Sequence, residues 1–355
     1  MRKRLIDTLQ VLCACLIFCV VSGCGSEDKK KTSHQAGEVV VFVSLDRVYS
    51  EPILKAFETE SGIRVKPVYD AEAAKTTGLV NRLIARQNNP ECDVYWSNEA
   101  VQMQTLADRG LLEQMGPAFD GAFDRIPDGY KDPSRHWLGF AGRARVLIYN
   151  TGFFNTDNAP KSLSTFLEPN YRGQGAIALP YFGTTFTHAS LYLEANGSES
   201  LIEFLRAAKA NGTAFPPGNG PVRDLVASGE YAFGLTDTDD AWGAISSNKP
   251  VAVLIPDAAD GAVIIPNTVG LIKSSPNSSN AEKLALYLTS KQTEIQLAQI
   301  DSKQIPLGTD CQAERDQGVW RELLDGVPFK PVDNARLASH REQVVQAIRA
   351  SGIDR

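Results

Sequence analysis

The stretch Gly-Leu-Thr-Asp-Thr-Asp-Asp-Ala-Trp, residues 234–242, puts Asp237, Asp239 and Asp240 into four positions, directly after the apolar run Tyr231-Ala232-Phe233. Ionised carboxylates this close repel one another. Two arrangements relieve the repulsion. Asp239 and Asp240 can sit in a helix's first turn, where the macrodipole favours acids, with Thr238 or Asp237 as cap. Alternatively, the group can hold a cation. The two are compatible, because an acid at a helix start can also bind. An EF-hand is excluded: with Asp237 as its first position, Trp242 falls where the loop needs glycine and Asn248 where it needs glutamate.

Three other segments end apolar runs in the same way. The first gives Ser44, Leu45, Asp46 and Arg47; another gives Ser97, Asn98 and Glu99; a third gives Tyr181, Gly183, Thr184 and Thr185 at a helix start. If all faced one cleft, it would be rich in oxygen donors and poor in nitrogen or sulfur. That donor set suits a hard cation or an organic ammonium group. Gly183-Thr184-Thr185 reads equally as a plain cap or as a cradle of backbone N–H groups for an anion. Arg143 and Arg145 read as ion pairs between halves of the molecule or as ligand contacts. Glu99 reads as a solvated helix start or a cleft ligand, and His136 and His188 as structural histidines. The patterns G-x-S-x-G, H-E-x-x-H and the P-loop are absent. That leaves a secreted carboxylate-based hydrolase as a remote alternative and a binding protein, not an enzyme, as the expectation.

The elements that must position these residues alternate. "VVVFVSL" is a continuous apolar run, as a strand buried on both faces requires. A helix follows, with Ser50 as expected cap, Pro52 in its first turn, Ile53, Leu54 and Phe57 on one face, and Gly62 as its stop. "IRVKPVY" and "CDVYWSN" read as strands, "KTTGLVNRLIARQNN" and "EAVQMQTLADRGLL" as helices. This spacing implies βαβ units and a mostly parallel sheet. "HWLGFAGRARVLIYNT" breaks the rhythm, with two strand-like pieces around Gly142 and Arg143. It predicts a first crossing into a second lobe, built from residues 141–261, while residues 38–140 and 262–355 form the first. "AEKLALYLTSKQTEIQLAQ" reads as one long amphipathic helix and "REQVVQAIRA" as the last helix. At 355 residues the chain exceeds what one core usually holds. A cleft is expected at the crossing, beyond the carboxyl ends of the strands.

The chain carries 36 Lys and Arg against 42 Asp and Glu, a formal charge of −6. That mild acidity, with no basic stripe, excludes a nucleic-acid partner. Arg2, Lys3 and Arg4 precede the apolar "LQVLCACLIFCVV", which ends at Val21-Ser22-Gly23-Cys24. Small residues just before a cysteine resemble a bacterial lipoprotein signal: residues 1–23 would be removed, Cys24 lipidated, and 24–37 left as a flexible tether. This predicts a lipid-anchored protein at the periplasm or cell surface. Cys92 and Cys311 then remain, either as a disulfide or as two buried thiols, the latter favoured; no CxxC pair survives for zinc or redox work.

The segments "VVVFVSLDRVYSEPILKAFETESGIRV", "CDVYWSNEA", "GLL", "GFAGRARVLIYN", "SGEYAFGLTDTDDAW" and "QIPL" occur in this order between Glu38 and Leu307. As a set they resemble the ferric-ion-binding family of extracellular solute-binding proteins, which feed ABC importers. The resemblance implies an α/β, two-lobed type II periplasmic-binding-protein fold, each lobe a mixed sheet flanked by helices, closing over a ligand. It also implies a monomer that hands its cargo to permease membrane subunits. In iron-binding members the end of the first strand supplies a histidine or tyrosine ligand; Asp46 stands there. Their glutamate after the third strand corresponds to Asn98, with Glu99 adjacent. Their adjacent tyrosine pair is replaced by Asp239-Asp240. Gly183, Thr184 and Thr185 match the helix start that holds an anion, and Asn219 a loop contact. The implied metal ligands are therefore Asp46, Glu99, Asp239 and Asp240, for Fe3+ with a synergistic anion. Asn98, Arg143, Tyr181, Gly183, Thr184, Thr185, Asn219 and Asp237 are the implied further contacts. A polyamine or an aminophosphonate would favour the same acids.

Overall fold

The computed structural model describes residues 37–70, 77–330 and 332–355. The signal segment, Cys24 and the tether up to Ala36 lie outside them. Among the described residues no helix is long and apolar enough to cross a membrane.

Strand β1, Glu38–Val43, buries Val39, Val41, Phe42 and Val43 almost completely. It can do so because β2 (Arg64–Tyr69) and β3 (Val94–Ser97) flank it in parallel and helices cover both faces. Helix α1, Arg47–Ser61, starts three residues before the expected cap: Asp46 holds the N-cap position, and Ser50 turns its hydroxyl back to the Leu45 and Asp46 carbonyls. Pro52 therefore lies inside the helix. Ile53, Leu54 and Phe57 are buried, and Gly62 ends the helix at φ 70°, the left-handed region glycine adopts most readily. Helices α2 (Thr77–Ala85), α3 (Val101–Asp108) and α4 (Asp120–Arg125) follow.

The stretch expected as two strand pieces is one strand, β4, Trp137–Asn150, buried along its whole length. A bulge between Phe140 and Gly142 shifts its register. Its first part pairs with β8 (Ile264–Leu271), and its second part with β6 (Phe233–Asp237) and β7 (Val251–Leu254). The strand order is β2-β1-β3-β8-β4-β6-β5, with β7 also on β4 and β5 at Gly175–Ile177. Pairings of β1 with β2, β1 with β3 and β5 with β6 are parallel; every pairing of β4 and β8 is antiparallel. The sheet is thus more evenly mixed than the alternation predicts, because the crossing strand and the returning strand both run against their neighbours.

Between β5 and β7 come α5 (Gly183–Asn196), α6 (Ser198–Ala210), α7 (Asn219–Ser228) and α8 (Thr238–Ser246). The long helix expected after Asn280 is two, α9 (Ser278–Leu288) and α10 (Lys291–Gln299). Ser290 breaks it: its side chain accepts from the Thr293 N–H and caps the second helix. Helices α11 (Gln312–Arg315), α12 (Trp320–Leu324), α13 (Asn334–Ser339) and α14 (Arg341–Ser351) complete the chain. Cys92 and Cys311 are buried free thiols, so no disulfide joins them.

Candidate functional site

Strands β1, β3 and β6 end at one pocket, as open α/β sheets dictate. Asp46 follows β1, Asn98 follows β3, and Asp237 ends β6; all three line it, with Gly183, Thr184 and Thr185 at the start of α5. Asn219, Arg143, Asp239 and Asp240 complete the polar wall. The cavity volume is about 40 Å³, against the roughly 10–15 Å³ that one water needs. It has room for a few water-sized groups.

The carboxylate oxygens of Asp237, Asp239 and Asp240 lie within 4.8 Å of one another, and all three residues are buried. Both readings of their crowding apply. Asp239 and Asp240 occupy the first turn of α8, whose N-cap position is Asp237 without a side-chain cap bond. Asp239 Oδ1 accepts from the Asp240 N–H at 3.1 Å. The same carboxylates also open on the pocket.

Much of their charge is met from β4. Arg145 faces Asp237 across the antiparallel β4–β6 register and pairs with it at 2.7 Å. Asp237 Oδ2 accepts further from Thr184 Oγ1 and, at 2.8 Å, from Asn219 Nδ2. Arg143 Nε donates to Asp239 at 2.9 Å, Nη2 to Asn267 Oδ1 at 2.7 Å, and Nη1 to the Asn98 carbonyl. Residues 143 and 145 share a strand face because side chains alternate. Both arginines are ion-paired, and Arg143 also lines the pocket. Asp240 has the loosest pair, 3.4 Å from Arg223 Nη1 at the rim. With Asp46 counted, the acids outnumber the guanidinium groups around the pocket.

Helix α5 begins with Gly183 at φ 53° and carries no side-chain cap bond. The positive φ there favours glycine. The first N–H groups of a helix have no partner within it, and Gly183, Thr184 and Thr185 line the pocket. The Thr185 hydroxyl bonds Asn219 at 3.0 Å and accepts from Arg145 Nη2 at 3.2 Å.

A family model described as bacterial extracellular solute-binding protein matches residues 53–322. The chain belongs to this family. Iron uptake protein A1 of a Synechocystis strain is 24% identical over 298 residues, 79% of each chain. The Fe(3+)-binding periplasmic protein of Serratia marcescens is 26% identical over 280 residues, 78% of this chain and 80% of that one. Iron-bound HitA from Pseudomonas aeruginosa shares the fold with a TM-score of 0.76 at 20% identity, over 89% of this chain and 99% of that one. The shared architecture is the two-lobed type II periplasmic-binding fold.

Two of the solute-binding protein's expected contacts do not reach the pocket lining. Glu99 is wholly buried and capped into α3: Oε2 accepts from the Val101 N–H at 2.7 Å and the Thr187 hydroxyl at 3.0 Å, Oε1 from the Gln102 N–H at 2.9 Å. Burial outweighs these bonds and pushes its carboxyl up to about 7. Tyr181 turns away and donates to Asp354 Oδ2 at 2.9 Å. The remaining ten candidate residues line one pocket. Tyr49, not anticipated, lies close by: burial and the charges of Asp239, Asp240 and Asp46 all raise its phenol pKa. Its only sequence signal is its place one turn after Asp46. Gln304, which approaches Asp239 at 3.5 Å, opens the segment "QIPL" of the resemblance but carries no ligand-type signal of its own. His136 bonds Asp132 at 2.9 Å, a structural role.

Proposed function

We propose that this chain is the tethered receptor of an ABC import system, that it captures a hard metal cation with ferric iron as first candidate, and that it performs no catalysis. The observation that carries the reading is the cluster of Asp237, Asp239 and Asp240, whose carboxylate oxygens fall within 4.8 Å. A cation among them turns repulsion into attraction. Asp46, Asp239 and Asp240 would be its ligands; Asp237, saturated by Arg145, Thr184 and Asn219, would hold the wall in place. The open first turn of α5 at Gly183-Thr184-Thr185 would hold a companion anion, with Asn98 and Asn219 alongside. The small volume favours an ion with one small partner over an extended polyamine. Residues 38–140 with 262–355, and 141–261, would be the two lobes that close over it. A lipid on Cys24 would keep the receptor near permease subunits at the membrane.

One observation supports a second reading. Asp237 and Asp239 already have guanidinium partners, so both signs of charge face the cavity, as a small zwitterion such as an aminophosphonate requires. Isothermal titration separates the two. Ferric iron with carbonate or phosphate, divalent metals and 2-aminoethylphosphonate are titrated into the wild type, Asp46→Asn and Asp240→Asn. A ligand at 100 times its Kd adds about 2.7 kcal/mol of stability, so melting curves give an independent check. Ferric iron is expected to bind, with each variant weakened at least about 100-fold, roughly the 3 kcal/mol typical of a lost buried charge contact. Binding of the phosphonate alone, or unchanged iron affinity in both variants, would defeat the metal reading.

A further inference from the structure

On the other side of Arg145 from Asp237 lies a second cavity, of about 340 Å³, between α5, α6 and the segment after β7. Arg145 lines it and is only 1% exposed. Its Nη atoms are committed to Asp237, Thr184 and Thr185. Its buried Nε has no hydrogen-bond partner among the described residues. A buried guanidinium N–H without an acceptor is costly, and native proteins rarely leave one so.

Two further groups lie at the same cavity. His188 lies one turn along α5 from Thr184 and Thr185, and its buried Nδ1 also has no hydrogen-bond partner among the described residues. Lys330 completes the cationic side. Burial, first, and the charges of Arg145 and Lys330 push the imidazole down to about 3, so it is neutral at physiological pH and both cations are close to it. Leu163, Leu191, Phe204 and Val263 add apolar surface to the lining. Two acids also line this cavity: Asp257 accepts from the Leu163 N–H at 3.0 Å, and Asp260 is exposed, where solvent screens it.

We propose that this cavity is a second ligand site, for a small organic carboxylate. The carboxylate accepts from Arg145 Nε and pairs with Lys330, and its hydrocarbon body lies against Leu191, Phe204 and Val263. Nothing in this assignment depends on which solute the first pocket takes.

Fluorine NMR of 4-fluorobenzoate with the full-length protein tests it, with 4-fluorobenzamide as the neutral match. The benzoate is expected to bind saturably and at least ten times more tightly than the benzamide. Leu191→Trp, which fills the cavity, should abolish binding. Lys330→Gln, a partly exposed position that leaves the fold intact, should weaken it several-fold. No saturable binding of the benzoate, equal binding of the benzamide, or full binding in both variants would overturn the assignment.

Discussion

Two groups of buried acids occupy this molecule, and they are solvated differently. Glu99 and Glu294 are wholly buried. Backbone amides enclose each: Glu294 accepts from Ala141 and Leu307 at 2.7 Å and from Gly308 at 3.2 Å, and pairs with Arg125 at 2.6 Å. Asp237, Asp239 and Asp240 instead lie together and face arginines and a cavity. A carboxylate ringed by main-chain N–H groups fastens loops together. Carboxylates that share one opening remain available to a guest. Burial alone therefore does not mark a functional acid; the identity of its donors does.

Three measurements would break or sharpen that contrast. The largest effect is expected from Glu294→Ala, which leaves three buried amides without their acceptor and Arg125 with Asp310 and the Thr289 carbonyl. Urea unfolding should show a loss of about 3–5 kcal/mol; a loss under about 1 kcal/mol would mean the enclosed acids are not structural fasteners.

Next comes the pH dependence of Glu99. Its carboxyl is raised from 4.5 to about 7 in the folded chain. Between those values the native state holds a proton that the unfolded state has lost, so stability falls as pH rises through that window. The expected fall is on the order of 3 kcal/mol at about 1.4 kcal/mol per unit. Glu99→Gln should flatten that slope across pH 4.5–7 in thermal melts; an unaltered slope would assign it to other groups.

The smallest effect is expected from Arg223→Ala. It removes a partly exposed cation 3.4 Å from Asp240. Cation affinity should rise a few-fold, the roughly 0.5–1 kcal/mol scale of such pairs, with the melting temperature nearly unchanged. A fall in affinity would place Arg223 among the ligand's own contacts.

The sequence made the alternating elements visible because burial writes them directly: Val39 to Val43 between two strands, and Ile53, Leu54 and Phe57 on one helix face. Strand ends were equally legible, and they lead to the pocket. Side-chain direction was not. Glu99 and Asn98 are neighbours, yet only Asn98 faces the cavity, because Glu99 is drawn to the amides of Val101 and Gln102. The cross-strand pairing of Arg145 with Asp237 depends on a register spanning 92 residues, which no local pattern carries. Gln304 approaches Asp239 from a segment 65 residues away.

The bulge in β4 has a further consequence. Side chains alternate with a period of two, so a single extra residue at Ala141 decides whether every later odd-numbered side chain faces inward or outward. Arg143 and Arg145 reach their aspartates only in the present parity. A chain that keeps this wall can therefore lengthen or shorten the stretch from Leu138 to Gly142 only by even steps. Lengthening by one residue would exchange the guanidinium groups for Gly142 and Ala144, without altering a single residue of the pocket itself.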